Sequence, residues 1–406
     1  MDRNGRIVVF ARALRSFGFG LNSVALGLYL AQLGVPGTTV GLIISAAFAG
    51  SLALTVVIAG WGDRIGRRRL LMAGSALMAT AALIPFVSRE PLLLAVIALS
   101  GMVAVNANES TGLQTVDQAL LPQSVPDGQR TSAFALYNLL ASAGAALGSL
   151  AVGLLPFLGA ALGLTGAHIF VPAFAVYAAI GLITLALHAR LDARAESGER
   201  LEGRLAIDKS RGVVARLSAL FGLDSFASSL SVQSYIAYFL VARFAFEPQT
   251  AGVLFFVAGV LTTLSFPVAA WLSTRIGLIH TMVFTHIPSS VFLLGLALAT
   301  DVWVAAAFLL GRAALASMDV PARQSYTMAV VEPRERTATA GVTSLARAIA
   351  QVPGPAIAGA LLVPIGLGVP LMATAALKIT YDLLLFRLFK SRPAPEEPAR
   401  QRDASA

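Results

Sequence analysis

The chain has 406 residues, of which 57% are hydrophobic and only 13% are charged, whereas soluble domains average about 45–50% apolar and about 25% charged residues. This composition excludes a set of soluble domains, a disordered chain, a collagen and a coiled coil, and it leaves a protein that crosses a membrane many times. The sequence has no cysteine, so disulfides, thiol catalysis and iron–sulfur clusters are excluded. The formal net charge of +9 is interpreted as the basic bias of cytoplasmic loops, not as a nucleic-acid-binding surface.

Twelve apolar segments follow one another along the chain, each long enough for the roughly 20 residues that a spanning helix needs. In chain order they cover about residues 8–33, 38–61, 68–88, 91–120, 130–156, 165–189, 213–241, 249–273, 278–299, 302–331, 337–363 and 368–389. The sequence therefore predicts an all-α membrane protein with twelve transmembrane helices.

The positions of the arginines predict the orientation of these helices. Most arginines lie at the two ends of the chain and in the connections after segments 2, 4, 6, 8 and 10, whereas the opposite connections hold little beyond Arg89 and Arg243. Basic residues concentrate in cytoplasmic loops. We therefore expect a multi-pass protein of the cytoplasmic membrane, with both termini in the cytoplasm.

The chain divides into two similar halves. Residues 190–212 form the only long charged stretch between segments, and we interpret them as a cytoplasmic linker. It separates an N-terminal six-helix bundle (1–189) from a C-terminal one (213–392), and residues 393–406 are expected to form a disordered cytoplasmic tail. Residues 63–66 (Asp-Arg-Ile-Gly) recur 211 residues later as residues 274–277 (Thr-Arg-Ile-Gly). This repeat predicts two pseudo-symmetric bundles in the same membrane orientation.

The connection after segment 2 carries a motif of known type. It reads Gly-Trp-Gly-Asp-Arg-Ile-Gly-Arg-Arg-Arg over residues 60–69, which resembles motif A of the major facilitator superfamily, Gly-x-x-x-Asp-Arg-x-Gly-Arg-Arg. Together with the repeat, the resemblance covers nearly the whole chain and implies the major facilitator fold. Gly66 permits a tight cytoplasmic turn. In that family the motif latches the two halves on the cytoplasmic side. The resemblance therefore implies a cytoplasmic gate, with an acidic residue of segment 4 as its partner, made of Asp63, Arg64, Gly66 and Arg67.

Small residues are spaced four apart in segments 5 and 11, a pattern that lets helices pack closely. The antiporter motif of the family has a Gly-Pro pair in segment 5, but here Ser149 occupies the proline position and the pair lies in segment 11. The pattern is therefore interpreted as helix packing by Gly144, Gly148, Gly153, Gly354, Pro355 and Gly359.

Ionisable residues inside a membrane segment are costly and are candidates for function. Asp224 and Arg347 each lie about ten residues into segments 7 and 11, which places both about 15 Å deep. They can pair either as a titratable coupling site or substrate anchor, or as a structural salt bridge. Lys378 and Asp382 are four residues apart in segment 12, which predicts a self-neutralising pair on one helix face.

Other charged residues lie nearer the predicted cytoplasmic ends. Glu109 and Asp319 hold matching positions in the two halves, where a latch and a proton-binding role both stay open. Arg323, four residues after Asp319, favours a structural pair, and Arg312 is a further candidate in segment 10.

Two arginines and a group of polar residues complete the candidates. Arg12 and Arg15, at the start of segment 1, are expected to extend to the lipid headgroups. Segment 7 is the most polar segment, so its side chains are expected to face a wet cavity or another helix. The candidates for substrate binding in and around it are Asn22, Gln233, Tyr235 and Tyr238, which Tyr137, Asn138 and His286 can join.

The resemblance and these residues predict a secondary transporter that moves a small organic solute or drug by alternating access. Proton-coupled efflux is expected, since the resemblance points most towards the drug:proton antiporters and no ATP-binding Gly-x-x-x-x-Gly-Lys-[Ser/Thr] motif is present. A symporter or uniporter of an organic anion or nutrient is the alternative, and a transporter-like receptor or scaffold is the alternative of another class. No nucleophile, base or metal motif predicts an enzyme. The expected partners are the substrate, protons and lipids, with no cofactor, metal or nucleic acid, and the chain is expected to act as a monomer.

Overall fold

The computed structural model describes residues 1–87, 90–107, 112–126, 130–192 and 209–391. These residues form seventeen α-helices linked by turns and short 3-10 helices. In chain order the helices are α1 (Arg3–Gln32), α2 (Gly37–Ile65), α3 (Arg67–Ala79), α4 (Pro91–Ala98), α5 (Gly112–Leu120), α6 (Arg130–Ala151), α7 (Leu155–Ala161), α8 (Val171–His188), α9 (Arg211–Ser229), α10 (Gln233–Phe244), α11 (Pro248–Ile276), α12 (Leu278–Leu298), α13 (Val302–Leu315), α14 (Asp319–Ala329), α15 (Arg336–Gln351), α16 (Gly354–Ile365) and α17 (Val369–Phe389).

Each predicted segment corresponds to one helix or to two helices in succession. Segments 1, 2, 8, 9 and 12 are single α-helices, whereas segments 4, 5, 7, 10 and 11 are each divided in two. Within the described ranges, nine helical stretches are long and apolar enough to cross a membrane. The remaining segments, 3, 4 and 11, consist of shorter or interrupted helices. The expectation of an all-helical protein is confirmed for the part of the chain that the structure describes.

The packing of the chain divides it into two compact units. Unit 1 contains the described residues of Met1–Leu201 and Val232–Val260, and unit 2 contains those of Glu202–Ser231 and Leu261–Ala406. Segment 7 is shared, because α9 belongs to unit 2 and α10 to unit 1. The predicted bundles and the linker between them stay a prediction, and residues 193–208 and 392–406 lie outside the described part.

In unit 1, α1 packs against α6, α8 and α10. Glycines let the backbones of α1 and α6 touch. A Cβ at Gly148 would overlap the carbonyl oxygen of Phe17, and one at Gly20 would overlap that of Ala145. This crossing therefore depends on residues without side chains at its centre.

In unit 2, α12 packs against α13, α14 and α17, and α9 packs against α15 and α17. An apolar core cluster joins four of these helices, with Phe221 from α9, Met282 from α12, Tyr326 from α14 and Tyr381 from α17. These four helices also carry the buried charges that form the candidate site.

The two copies of the internal repeat end in the same backbone turn. Gly66 has φ 95° and Gly277 has φ 85°, a region that residues with a Cβ rarely adopt. The tight turn predicted at Gly66 is therefore present in both halves.

Candidate functional site

Six ionisable side chains cluster inside unit 2, and none is more than 7% exposed. They come from α9, α12, α14 and α17. Charges buried this deeply are stable only when they are paired and hydrogen-bonded. This cluster, named the unit 2 network, consists of Asp224, His286, Asp319, Arg323, Lys378 and Asp382.

Asp224 lies at the centre of the network. Its Oδ1 accepts a hydrogen bond from Lys378 Nζ at 2.7 Å, and its Oδ2 accepts one from Arg323 Nη1 at 3.1 Å. The same Arg323 nitrogen lies 3.1 Å from Asp319 Oδ2. One carboxylate on α9 thus ties together the charged residues of α14 and α17.

His286 lies between Lys378 and Asp382 in the network. Its Nδ1 lies 3.0 Å from both carboxylate oxygens of Asp382, and its Nε2 lies 3.2 Å from Lys378 Nζ. An ammonium group can only donate hydrogen bonds, so Nε2 must accept. The partners therefore assign the hydrogen to Nδ1, which donates it to Asp382, and the imidazole is neutral.

The charges around Asp224 balance when His286 is neutral. Arg347 on α15 adds a third cation, and its Nε donates to Ser225 Oγ at 2.9 Å, next to Asp224 in the chain. Three carboxylates then face three cations. One additional proton gives this buried group a net positive charge.

The residues of two ion pairs that were predicted from their positions in the sequence have other partners in the structure. Asp224 binds Lys378 and Arg323, so the expected Asp224–Arg347 pair is wrong. The self-neutralising pair within segment 12 is also wrong, because Lys378 binds Asp224 while Asp382 binds His286. Both side chains of α17 face the interior of unit 2, where counter-charges from other helices are available. The pair of Asp319 with Arg323, four residues on, is present.

The polar candidates Asn22, Gln233, Tyr235 and Tyr238 belong to unit 1, whereas Asp224 belongs to unit 2. Asn22 Nδ2 donates to the carbonyl of Ala104 at 2.9 Å, and Tyr238 OH donates to that of Val35 at 3.2 Å. Tyr235 stacks on Tyr238 with ring centroids 6.2 Å apart.

Gln233 makes further bonds in this region. Its backbone N–H donates to Asn106 Oδ1 at 2.9 Å, and its side-chain nitrogen lies 3.4 Å from Ser149 Oγ. Together these contacts attach α10 to α6 and to the non-helical residues 103–107 of segment 4.

The remaining charged candidates are less closely engaged. Arg312 lies in the last turn of α13 and is half-buried. Glu109 and the side chain of Asp63 lie outside the described part of the structure. Of the other motif residues, Arg64 is exposed and Arg67 is half-buried. The neighbouring Arg68 donates from Nη2 to the carbonyl of Ala189 at 2.6 Å, which ties the start of α3 to the end of α8.

The packing glycines differ in what surrounds them. A Cβ at Gly144 would lie 2.6 Å from the carbonyl oxygen of Ala13, and one at Gly153 would lie 3.2 Å from that of Gln249. A Cβ at Gly354 would overlap the hydroxyl of Ser229. Pro355 and Gly359 are buried on α16.

Sequence reasoning missed an ion pair in unit 1. Arg15 is fully buried, and its Nη2 lies 2.5 Å from Asp117 Oδ2 on α5, which also accepts a hydrogen bond from Tyr137 OH at 3.1 Å. The expectation that Arg12 and Arg15 extend to the headgroups is wrong, because both side chains are buried inside unit 1. The available signal was an aspartate within the polar end of segment 4, on the otherwise apolar face of α5.

Comparison with known proteins agrees with this architecture. The family model described as Major Facilitator Superfamily matches residues 8–241 and 217–405. An uncharacterized membrane protein of Saccharomyces cerevisiae is 23% identical over 410 residues, which cover 93% of this chain and 92% of the yeast protein.

Solved transporters share the fold at low sequence identity. The nucleoside transporter NupG superposes with a TM-score of 0.73 at 13% identity, over 96% of this chain and 100% of that one. The xylose transporter XylE from E. coli superposes with a TM-score of 0.71 at 13% identity, over 98% of this chain and 100% of the XylE chain. A bacterial homologue of the human lysosomal transporter Spinster, in an inward-facing conformation, superposes with a TM-score of 0.67 at 17% identity. The match covers 97% of this chain and 98% of the homologue.

These matches confirm the predicted fold, and they are to the superfamily as a whole and not to its drug:proton antiporters in particular. Members of this family are transporters of small molecules and not enzymes. The chain belongs to the Major Facilitator Superfamily and is a multi-pass membrane protein that carries out secondary transport by alternating access.

Proposed function

We propose that this transporter couples the movement of a small organic solute to that of a proton, and that the unit 2 network binds the proton. The observation that carries the proposal is the position of His286 between an ammonium group and two carboxylates. Its Nε2 lies 3.2 Å from Lys378 Nζ and 3.9 Å from Asp224 Oδ1. Histidine is the side chain whose charge changes most readily near neutral pH.

A proton on Nε2 reverses the role of that nitrogen. It becomes a hydrogen-bond donor, so it repels the ammonium group of Lys378. It can then donate a hydrogen bond to Asp224, whose Oδ1 accepts one from Lys378 in the structure. Protonation therefore exchanges one cation for another at the same carboxylate. The exchange has two discrete arrangements, which is what a ligand-driven conformational equilibrium requires.

The exchange favours an anionic substrate that moves with the proton. Lys378, once displaced from Asp224, is a buried ammonium without a counter-charge, and leaving a buried charge unpaired costs several kcal/mol. A carboxylate or phosphate group on the solute would offset that cost. Proton binding then promotes solute binding, which is the thermodynamic basis of symport.

Efflux of a cationic drug by proton exchange is the second candidate, and the central position of Asp224 supports it. A cationic solute that paired with Asp224 would compete with Lys378 and with protonated His286 for the same oxygens. Proton and solute would then exclude each other, which is the basis of antiport.

Proton flux in proteoliposomes under an imposed pH gradient tests the proposal and separates the two candidates. A trapped pH-sensitive dye reports while organic anions, lipophilic cations and neutral drugs are added in turn. Anions that drive protons in the same direction as themselves indicate symport, and cations that drive them in the opposite direction indicate antiport.

The matched variants are His286→Gln and His280→Gln, both on α12. His280 is half-buried and stacks on Phe284, with ring centroids 5.8 Å apart, outside the network. His286→Gln should abolish solute-driven proton movement but keep solute counterflow, and His280→Gln should keep both. Proton coupling that survives in His286→Gln would remove the network from the mechanism.

We further propose that the chain lies in the cytoplasmic membrane as a monomer with both termini in the cytoplasm, with bundles 1–189 and 213–392. The arginine distribution supports this orientation. Because the chain has no cysteine, Arg190→Cys and Arg243→Cys each introduce one label site at an exposed position. An impermeant maleimide should label position 243 on intact cells and position 190 only after permeabilisation; the opposite pattern would invert the topology.

A further inference from the structure

Arg12 is a buried cation without an ion-pair partner of its own among the described residues, because the nearby Asp117 is paired with Arg15. Arg12 and Arg15 lie one turn apart on α1 and are 7% and 0% exposed. Arg15 is paired with Asp117, whereas Arg12 has its guanidinium carbon 5.6 Å from the centroid of the Tyr137 ring. Neither Nε nor Nη1 of either arginine has a hydrogen-bond partner.

These groups leave one positive charge and four donor nitrogens unmatched inside unit 1. A cation over an aromatic face gains less free energy than an unpaired buried charge costs. The ring of Tyr137 therefore does not by itself account for the burial of Arg12. An anion beside the two guanidinium groups would.

The same cluster also contains an unmatched acceptor. Asp117 Oδ2 is shared by Arg15 and Tyr137, but its other oxygen, Oδ1, has no partner. A halide or a fully deprotonated anion cannot satisfy it, because such ions only accept. A hydrogen phosphate group carries both O⁻ acceptors for arginine and an O–H donor for a carboxylate.

We propose that Arg12 and Arg15 form a binding site for a phosphate group, distinct from the unit 2 network. Arginine forks bind phosphate through two parallel hydrogen bonds. Arg12 lies four residues beyond the predicted start of segment 1, or about 6 Å along the helix, and helical side chains lean towards the N-terminus. In the predicted topology this places the site near the cytoplasmic face, where free phosphate compounds and lipid headgroups are both at hand.

Thermal unfolding of the detergent-purified full chain, titrated with inorganic phosphate at constant ionic strength, tests the site. Arg12→Gln is compared with Arg6→Gln, which removes the same charge from an exposed position on the same helix. Wild type and Arg6→Gln should show a saturable rise in Tm. Arg12→Gln should need at least roughly tenfold more phosphate, because two charge-assisted hydrogen bonds are lost.

A lipid arm identifies the source of the phosphate group. Native mass spectrometry in mixed micelles would show phosphatidic acid, a phosphate monoester that can keep one P–O–H group, retained by wild type and Arg6→Gln but lost from Arg12→Gln if a headgroup is the occupant. If Arg12→Gln does not fold, Arg12→Lys and Arg6→Lys replace the pair, since lysine keeps the charge but not the fork. Equal phosphate and lipid responses in the position-12 and position-6 variants, or no saturable response in wild type, would overturn the site.

Discussion

Each unit buries an ion pair between its first and its fourth segment, but the two pairs have opposite polarity. In unit 1 the cation is Arg15 on segment 1 and the carboxylate is Asp117 on segment 4. In unit 2 the carboxylate is Asp224 on segment 7 and the cation is Arg323 on segment 10. The two pairs thus join corresponding segments of the two halves of the sequence with their charges exchanged.

The surroundings of the two pairs explain why we assign different roles to them. Around Asp224 a histidine, a lysine and a second aspartate share hydrogen bonds, so a proton can rearrange the partners. In unit 1 the buried His188 bonds the hydroxyl of Ser75 at 2.9 Å and contacts no carboxylate within hydrogen-bond distance among the described residues. Asp117 is bonded instead by Arg15 and by the hydroxyl of Tyr137, and neither exchanges a proton as readily near neutral pH as a histidine does. We therefore expect unit 1 to hold its charges and unit 2 to switch them.

The largest effect is expected from Asp224→Asn, which leaves Lys378 without its carboxylate. Breaking a buried pair from one side costs about 3–5 kcal/mol, so the free energy of unfolding should fall by that amount and coupled transport should be lost. Adding Lys378→Met removes both charges and should restore most of the stability but not the proton coupling. Denaturant unfolding and proteoliposome flux measure the two quantities. A single variant as stable as wild type would contradict the pairing.

The same experiment in unit 1 sharpens the comparison. Asp117→Asn leaves Arg15 unpaired and should destabilise the protein by about 3 kcal/mol. Adding Arg15→Met should restore stability and, unlike the double variant in unit 2, proton-coupled transport as well. Both readouts come from the same preparations. If the unit 1 double variant is stable but uncoupled, the two ion pairs do not differ in the way proposed here.

A smaller effect is expected at the packing glycines of segments 5 and 11. The Cβ of Gly148→Ala would overlap a backbone oxygen of α1, and so the helices must separate, at a cost of about 1–3 kcal/mol. The Cβ of Gly354→Ala meets mainly the hydroxyl of Ser229, which can rotate away, so its cost should stay below about 1 kcal/mol. Thermal unfolding compares the two. A larger loss of stability in Gly354→Ala than in Gly148→Ala would show that Ser229 tolerates an added methyl group less well than the backbone of α1 does.

The smallest effect on stability is expected from Asp63→Asn in the predicted cytoplasmic gate, within about 0.5 kcal/mol of wild type. If the gate must close in each cycle, turnover should slow by more than the apparent substrate affinity weakens. Thr274 holds the equivalent position in the second half of the repeat. Thr274→Asn is therefore the matched control and should leave both kinetic parameters near wild type. A loss confined to affinity would argue against a gate at Asp63.

Local patterns account for the features of this fold that the sequence predicted correctly. The length of each apolar segment predicted its helices, and the i,i+4 spacing predicted the pair of Asp319 with Arg323. The glycine of the repeat predicted the turn at Gly66. Each of these depends on residues close together in the chain.

The partners of the buried charges depend on information of another kind. The i,i+4 spacing also predicted a pair of Lys378 with Asp382, yet their partners lie 154 and 96 residues away, on α9 and α12. Arg15 is bound by an aspartate 102 residues away. A buried charge takes the partner that desolvation leaves within reach, and that depends on the rotation and register of packed helices. The sequence by itself determined where the membrane helices lie and which of their charges needed partners, whereas only the tertiary structure decided which partners these charges have, because helix packing brings together residues that are far apart in the chain.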